Sequence, residues 1–118
     1  MSTMTTPSHS FLPLKPTHFH ILLAASNGPV HGYGIRREVD EQTGGTIVLA
    51  AGTLYETIQR LQRDGLIEET GAPDKAGAAP SRWRFYETTP LGKRVLAAEV
   101  SRLEADVAAA RSRLPALG

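Results

Sequence analysis

At 118 residues the chain is long enough for one small domain and too short for two with separate cores. Hydrophobic types make up 41% of it, but fifteen of those side chains are alanines that bury little, so the core is expected to be completed against a partner. The absence of cysteine excludes a disulfide scaffold, a zinc ribbon and a thiol enzyme, and a net charge of +1 requires any nucleic-acid surface to be a local patch.

Residues 1–14 carry no charged side chain and are rich in Ser, Thr, Met and Pro, which predicts a disordered arm. They have neither the basic start nor the apolar core of a secretory signal, and no run approaches the roughly 18 apolar residues of a membrane span. The cytoplasm is therefore the expected compartment. A first helix is predicted over residues 16–25, with Pro16 in its first turn and Phe19, Leu22 and Leu23 on one face. Asn27-Gly28-Pro29 stops it.

A second helix follows over residues 32–42, burying Ile35 and Val39 and ended by Gly44-Gly45; Thr46 to Leu49 reads as a short β-favouring link. The third helix is the clearest, because Leu54, Ile58 and Leu61 form one stripe before Gly65 stops it. Residues 67–70 and 83–88 alternate as the strands of a hairpin, joined by a long loop rich in Gly, Ala and Pro. Thr89-Pro90 then opens a last helix reaching about residue 114, near 36 Å long. Its apolar residues Leu96, Val100, Leu103, Val107, Ala110 and Leu114 step by four and three, a heptad stripe. The fold class is thus mainly α with a small β-hairpin. It reads as a winged helix-turn-helix over residues 15–89 with a dimerisation helix over residues 90–118.

With the stripe of the third helix buried, Gly52, Glu56, Gln59 and Arg63 point away from it, and Tyr55 and Arg60 lie on its flanks. Gln and Arg can make paired contacts with adenine and guanine edges in a major groove. Gly52, next to Thr53, lets backbone N–H groups approach a phosphate, and Tyr55 offers a hydroxyl and a ring to the sugar-phosphate chain. The residues alone leave a second reading open, an ordinary amphipathic helix with a solvated face. In the hairpin, Lys75 and Arg82 near the tip are assigned to phosphates. Arg84 is divided between DNA and pairing with Glu68 or Glu69 across the strands. Trp83 reads first as packing.

His18 and His20 are two residues apart, so on a helix they face different ways and do not chelate together; no metal or other cofactor is expected. No nucleophile elbow, phosphate loop or HExxH motif is present, so no enzyme is expected.

GPVHGYGI at residues 28–35, Gly44-Gly45, GTLYETIQRLQRDGLI at residues 52–67, and Arg84-Phe85-Tyr86 followed by Thr89 and Gly92 resemble the PadR family of transcriptional regulators. The likeness extends over about residues 16–96. It implies a homodimeric winged helix whose third helix enters the major groove of double-stranded DNA and whose wing touches the backbone or minor groove. The DNA-contacting residues would be Gly52, Thr53, Tyr55, Gln59, Arg60, Arg63, Lys75, Arg82 and Arg84. The dimer interface would comprise Phe19, Leu96, Val100, Leu103, Val107 and Leu114. Three departures stand out. Glu56 replaces the family's proline after the tyrosine, and Thr88 stands where an aliphatic residue precedes the last helix. The C-terminal helix also lacks the tryptophan with which some members sandwich flat ligands. The functional expectation is a repressor acting as a homodimer on a near-palindromic operator. A small-molecule effector at the dimer seam, lined by Leu96, Val100 and Phe19, is a further partner left open. The alternative from another class is a winged-helix protein-interaction module without specific DNA binding.

Overall fold

The computed structural model describes residues 8–72 and 83–114. In chain order a 3-10 turn (Ser8–Phe11) precedes α1 (Pro16–Ala24), β1 (Val30–His31), α2 (Gly32–Gln42), α3 (Ala51–Arg63), β2 (Ile67–Thr70), β3 (Phe85–Thr88) and α4 (Pro90–Arg113). Pro16 takes the first position of α1 after an extended Lys15, where its missing N–H leaves no helical bond unmade. That helix is central: it packs against α2, α3, α4 and β3, and buries Ile21, Leu22, Ala24 and Ala25.

His31 starts α2 with its own ring, since Nδ1 accepts the Gly34 N–H at 2.9 Å and so satisfies one of the open donors of the first turn. The link after α2 forms no strand. Gly44 and Gly45 take positive φ of 59° and 83°, and Thr43 Oγ1 donates to the Val39 carbonyl and accepts the Ile47 N–H. This bend drops Leu49 into the core and leaves Val48 outside. At the end of α3, Gly65 (φ 77°) donates to the Gln62 carbonyl and Leu66 to the Leu61 carbonyl. That paired closure turns the chain into β2.

The sheet has three antiparallel strands in the order β1-β3-β2, one more than the expected hairpin. Val30 pairs with Tyr86 and His31 with Phe85, whereas β2 sets Ile67 opposite Thr88 and Thr70 opposite Phe85. A two-residue strand is too short to show alternation, so only its partner reveals it. Thr88 anchors the sheet to α1: its N–H donates to the Ala25 carbonyl at 2.9 Å and its Oγ1 to the Leu22 carbonyl at 2.7 Å. Thr89 then caps α4, accepting the Gly92 N–H while its hydroxyl donates to the Gly65 carbonyl. Gly92 is obligatory here, because a Cβ would run into the Leu66 carbonyl oxygen.

Two expectations are corrected by packing. Residues 8–14 do not form a disordered arm: Phe11, Leu12 and Leu14 pack against the core, and the 3-10 turn lies along α4. The uncharged composition concealed these apolar side chains, whose burial outweighs their ordering. Leu96, assigned to a dimer seam, is only 7% exposed and belongs to the chain's own core with Val95. The reason is that α4 lays its first turns on α1 and β3.

Candidate nucleic-acid interface

Leu54, Ile58 and Leu61 hold one side of α3 in the core, which turns Gly52, Thr53, Glu56, Gln59, Arg60 and Arg63 outward; all six are exposed, as is Tyr55. Gly52 has nothing within 4 Å of where a Cβ would stand, so packing within the chain does not demand glycine there. Ala50 gives no side-chain cap to the helix. The polar face therefore presents a bare backbone start, an amide and two guanidinium groups in its second half.

The two flanks of this face differ. Toward the sheet, a groove of about 580 Å³ is lined by aromatic rings from His31, Tyr33, Tyr55, Trp83 and Tyr86, with Gln59 and Gln62 from α3. His31 and Trp83 lie 4.4 Å apart between ring centres, and His31 stacks over Tyr33 at 6.3 Å. Tyr55 leans on the N-terminus of α2, where its hydroxyl occupies the space a side chain at Gly32 would need. Burial first, then the nearby Glu69 and Tyr55, push the Tyr86 phenol above its ordinary range. It therefore enters the groove as a neutral hydroxyl.

Toward α1, a second recess of about 340 Å³ gathers Lys15, His18, Glu56, Thr57, Gln59, Arg60 and Arg63. Burial, followed by repulsion from Lys15 and Arg60, holds the His18 ring below its ordinary pKa, with Asp64 pulling the other way. Lys15, Arg60 and Arg63 have no ion pair among the described residues, whereas Arg37 and Arg84 each have one and Arg102 has two.

Lys75 and Arg82 lie outside the described residues. Arg84 Nη1 reaches both Glu69 carboxylate oxygens, at 3.1 and 3.2 Å, which gives substance to the cross-strand alternative. Both side chains are well exposed, so the pair contributes at most about 1 kcal/mol and can be exchanged. On α4, Glu99 is buried: it receives two bonds from Arg102 and the Leu14 N–H, and Arg102 also reaches Asp106. These charges close on their own chain. Beyond them Val100, Leu103, Val107 and Leu114 continue the stripe of Leu96 as an exposed apolar line, and Phe19 is half-buried against the core.

Sequence reasoning passed over Tyr33, Lys15 and His18 as parts of this surface. Their placement depends on how α1 and α2 meet α3, which periodicity within one element does not encode.

The sequence model of the transcriptional regulator PadR-like family matches residues 21–98. The chain belongs to this family. Solved structures agree on the fold of this PadR-like protein. A transcriptional regulator from Clostridium thermocellum is 22% identical, with 81% of this chain and 87% of that one covered at a TM-score of 0.65. A PadR family regulator from Clostridium difficile is also 22% identical, covering 88% and 100% at 0.65. The Bacillus subtilis PadR, solved in complex with operator DNA, is 20% identical over 75% of this chain, at 0.61; the match spans 48% of that longer protein. No curated protein matches. The winged helix-turn-helix of a PadR-like regulator is thus established, and the family match leaves out both Lys15 and His18 at one end and the exposed line of α4 at the other.

Proposed function

We propose that this PadR-like protein is a repressor that binds double-stranded operator DNA as a homodimer, with α3 in the major groove. The observation that carries the reading is the outward face of α3, where Gln59 and Arg63 stand exposed, Gln59 lining the recesses on both flanks and Arg63 the cationic one. Gln59 and Arg63 read base edges; Gly52, Thr53, Tyr55 and Arg60 hold the backbone; Lys75 and Arg82 of the wing add phosphate contacts. Arg84 joins them only by leaving Glu69. That the Bacillus subtilis relative was solved in complex with operator DNA supports DNA as the partner. Residues 15–89 would then be the DNA-binding unit.

The exposed line Val100–Leu103–Val107–Leu114 supports self-association through residues 90–118, since water-facing valine and leucine at heptad spacing gain by pairing with a second copy. A two-fold dimer would space its α3 helices about one DNA turn, or 34 Å, apart on a near-palindromic site.

The test is fluorescence anisotropy with duplex DNA from upstream of the chain's own gene, beside a scrambled duplex, at two salt concentrations. The expected result is binding about a hundredfold tighter to the native duplex, weakened steeply by salt. Absence of binding to either duplex would overturn the reading and leave a protein-interaction module.

A further inference from the structure

We infer that Lys15, His18 and Arg60 form a second phosphate cradle on the α1 flank of α3, and that DNA enters it together with a proton taken up by His18. The inference rests on the DNA-binding reading above and adds a site and a chemical consequence to it.

Three observations converge. The recess beside α3 brings Lys15, just before α1, and His18 within it together with Arg60 and Arg63, and the adjoining one places the same Lys15, His18 and Arg60 against Asp64. Three permanent cations there face two carboxylates, Glu56 and Asp64, yet none of the three makes an ion pair among the described residues. The cluster therefore keeps an excess of positive charge, and its cations stay open to an anion. Finally, the geometry of α3 places this cradle opposite the aromatic groove: Tyr55 and Gln62 line only the groove, Thr57 and Arg60 only the cradle side, and Gln59 lies on both. A helix in a major groove about 12 Å wide has a phosphate wall on either side. The aromatic groove meets one strand, and the cradle meets the other.

His18 makes the contact depend on pH. Half-buried and beside Lys15 and Arg60, its ring is biased toward the neutral form in the free protein, against the weaker pull of Asp64. A phosphate in the cradle reverses the local field. It screens Lys15 and Arg60, and it favours the imidazolium, which then donates to it. Binding and protonation are linked, so affinity rises as pH falls, by at most about tenfold per pH unit for one proton. Glu56 and Arg63 share the recess with the ring, and imidazole is the side-chain type whose ordinary range lies near neutrality.

Because phosphate contacts are independent of sequence, the test uses an arbitrary duplex of about 30 base pairs at low salt, by anisotropy between about pH 6 and pH 8. The wild-type protein should bind several-fold more tightly at the acid end, and His18→Gln should remove that gain. Lys15→Gln should weaken binding throughout and reduce the salt slope by about one. The His18 ring signal in nuclear magnetic resonance, followed with and without the duplex, should titrate at higher pH in the complex. Equal pH slopes in wild type and His18→Gln, or a His18 titration unmoved by DNA, would overturn the cradle while leaving the DNA reading intact. No binding by the wild type at any pH would overturn both.

Discussion

Replacing Thr88 by valine tests whether the packing described above, and not the family's habit, governs stability. PadR-like sequences carry an aliphatic residue at this place, so family preference alone predicts that Thr88→Val stabilises. The structure predicts the opposite. Thr88 is buried, and its hydroxyl donates at 2.7 Å to the Leu22 carbonyl. Leu22 lies in the last turn of α1, and the Ser26 N–H that a continuing helix would offer it bonds to Leu23 instead. Valine leaves that carbonyl buried without its donor. The cost of such an unsatisfied group is about 1–3 kcal/mol. The methyl that replaces the hydroxyl returns roughly 0.8 kcal/mol of apolar burial. The net expectation is destabilisation by about 0.2–2 kcal/mol, or a melting temperature lower by roughly 1–10 °C. Urea unfolding followed by circular dichroism measures it, at one fixed protein concentration because self-association would otherwise shift the midpoint. Thr88→Ser, which keeps the hydroxyl, should lose less. A valine variant as stable as the wild type, or more so, would refute the reasoning.

Four other perturbations follow from the same structure. Gly92→Ala should cost at least about 2 kcal/mol, since its Cβ meets the Leu66 carbonyl and Thr88; a thermal melt at wild-type temperature would contradict the packing of α4. The Arg102 bonds, aided by the Leu14 N–H and opposed by burial, hold the Glu99 carboxyl below its ordinary 4.5. Its contribution is therefore complete above the unfolded value and lost as pH falls through the lower folded one. Glu99→Gln should flatten that acid limb and speed hydrogen exchange at the Leu14 amide. Val107→Glu should shift sedimentation toward the monomer, because Val107 is half exposed and touches no core; an unchanged sedimentation coefficient would remove α4 from the proposed interface. Glu56→Gln should tighten binding to arbitrary DNA more than to an operator, because it removes a phosphate-repelling charge from the outer face of α3. Equal gains on both duplexes would show that Glu56 plays no part in discrimination.

Most of the fold was legible wherever one element carries its own signal. Pro16, Gly44-Gly45, Gly65 and Thr89-Pro90 are stops or starts whose chemistry is local, and the stripe of α3 is a single periodicity; the bounds of α2 and β2 were readable for the same reason. What stayed hidden involves meetings between elements. β1 has two residues and takes its identity from β3. The segment at residues 8–14 carries Phe11, Leu12 and Leu14 without periodicity, and its order comes from packing on the core and α4 and from the Glu99 carboxylate 85 residues away. In α4 the heptad stripe was correctly spaced, yet spacing alone does not divide Leu96, which faces the chain's own core, from Val100 onward, which faces out.

The same distinction applies to the site. Helical spacing was enough to turn Gln59 and Arg63 outward together, because that depends on α3 alone. It says nothing of what stands beside them. The sheet flank has five rings, whose pairing begins with His31, itself fixed as the cap of α2 and as the partner of Phe85 in β1. The α1 flank has cations brought from a helix start that precedes α3 by more than thirty residues. A base-reading face between an aromatic flank and a cationic one is asymmetric. On the proposed reading the aromatic side would pack against sugars with little dependence on salt, whereas the cationic side would gain its affinity by counterion release. On that reading, pH therefore acts through the α1 flank, and salt through that flank together with the cations of the wing.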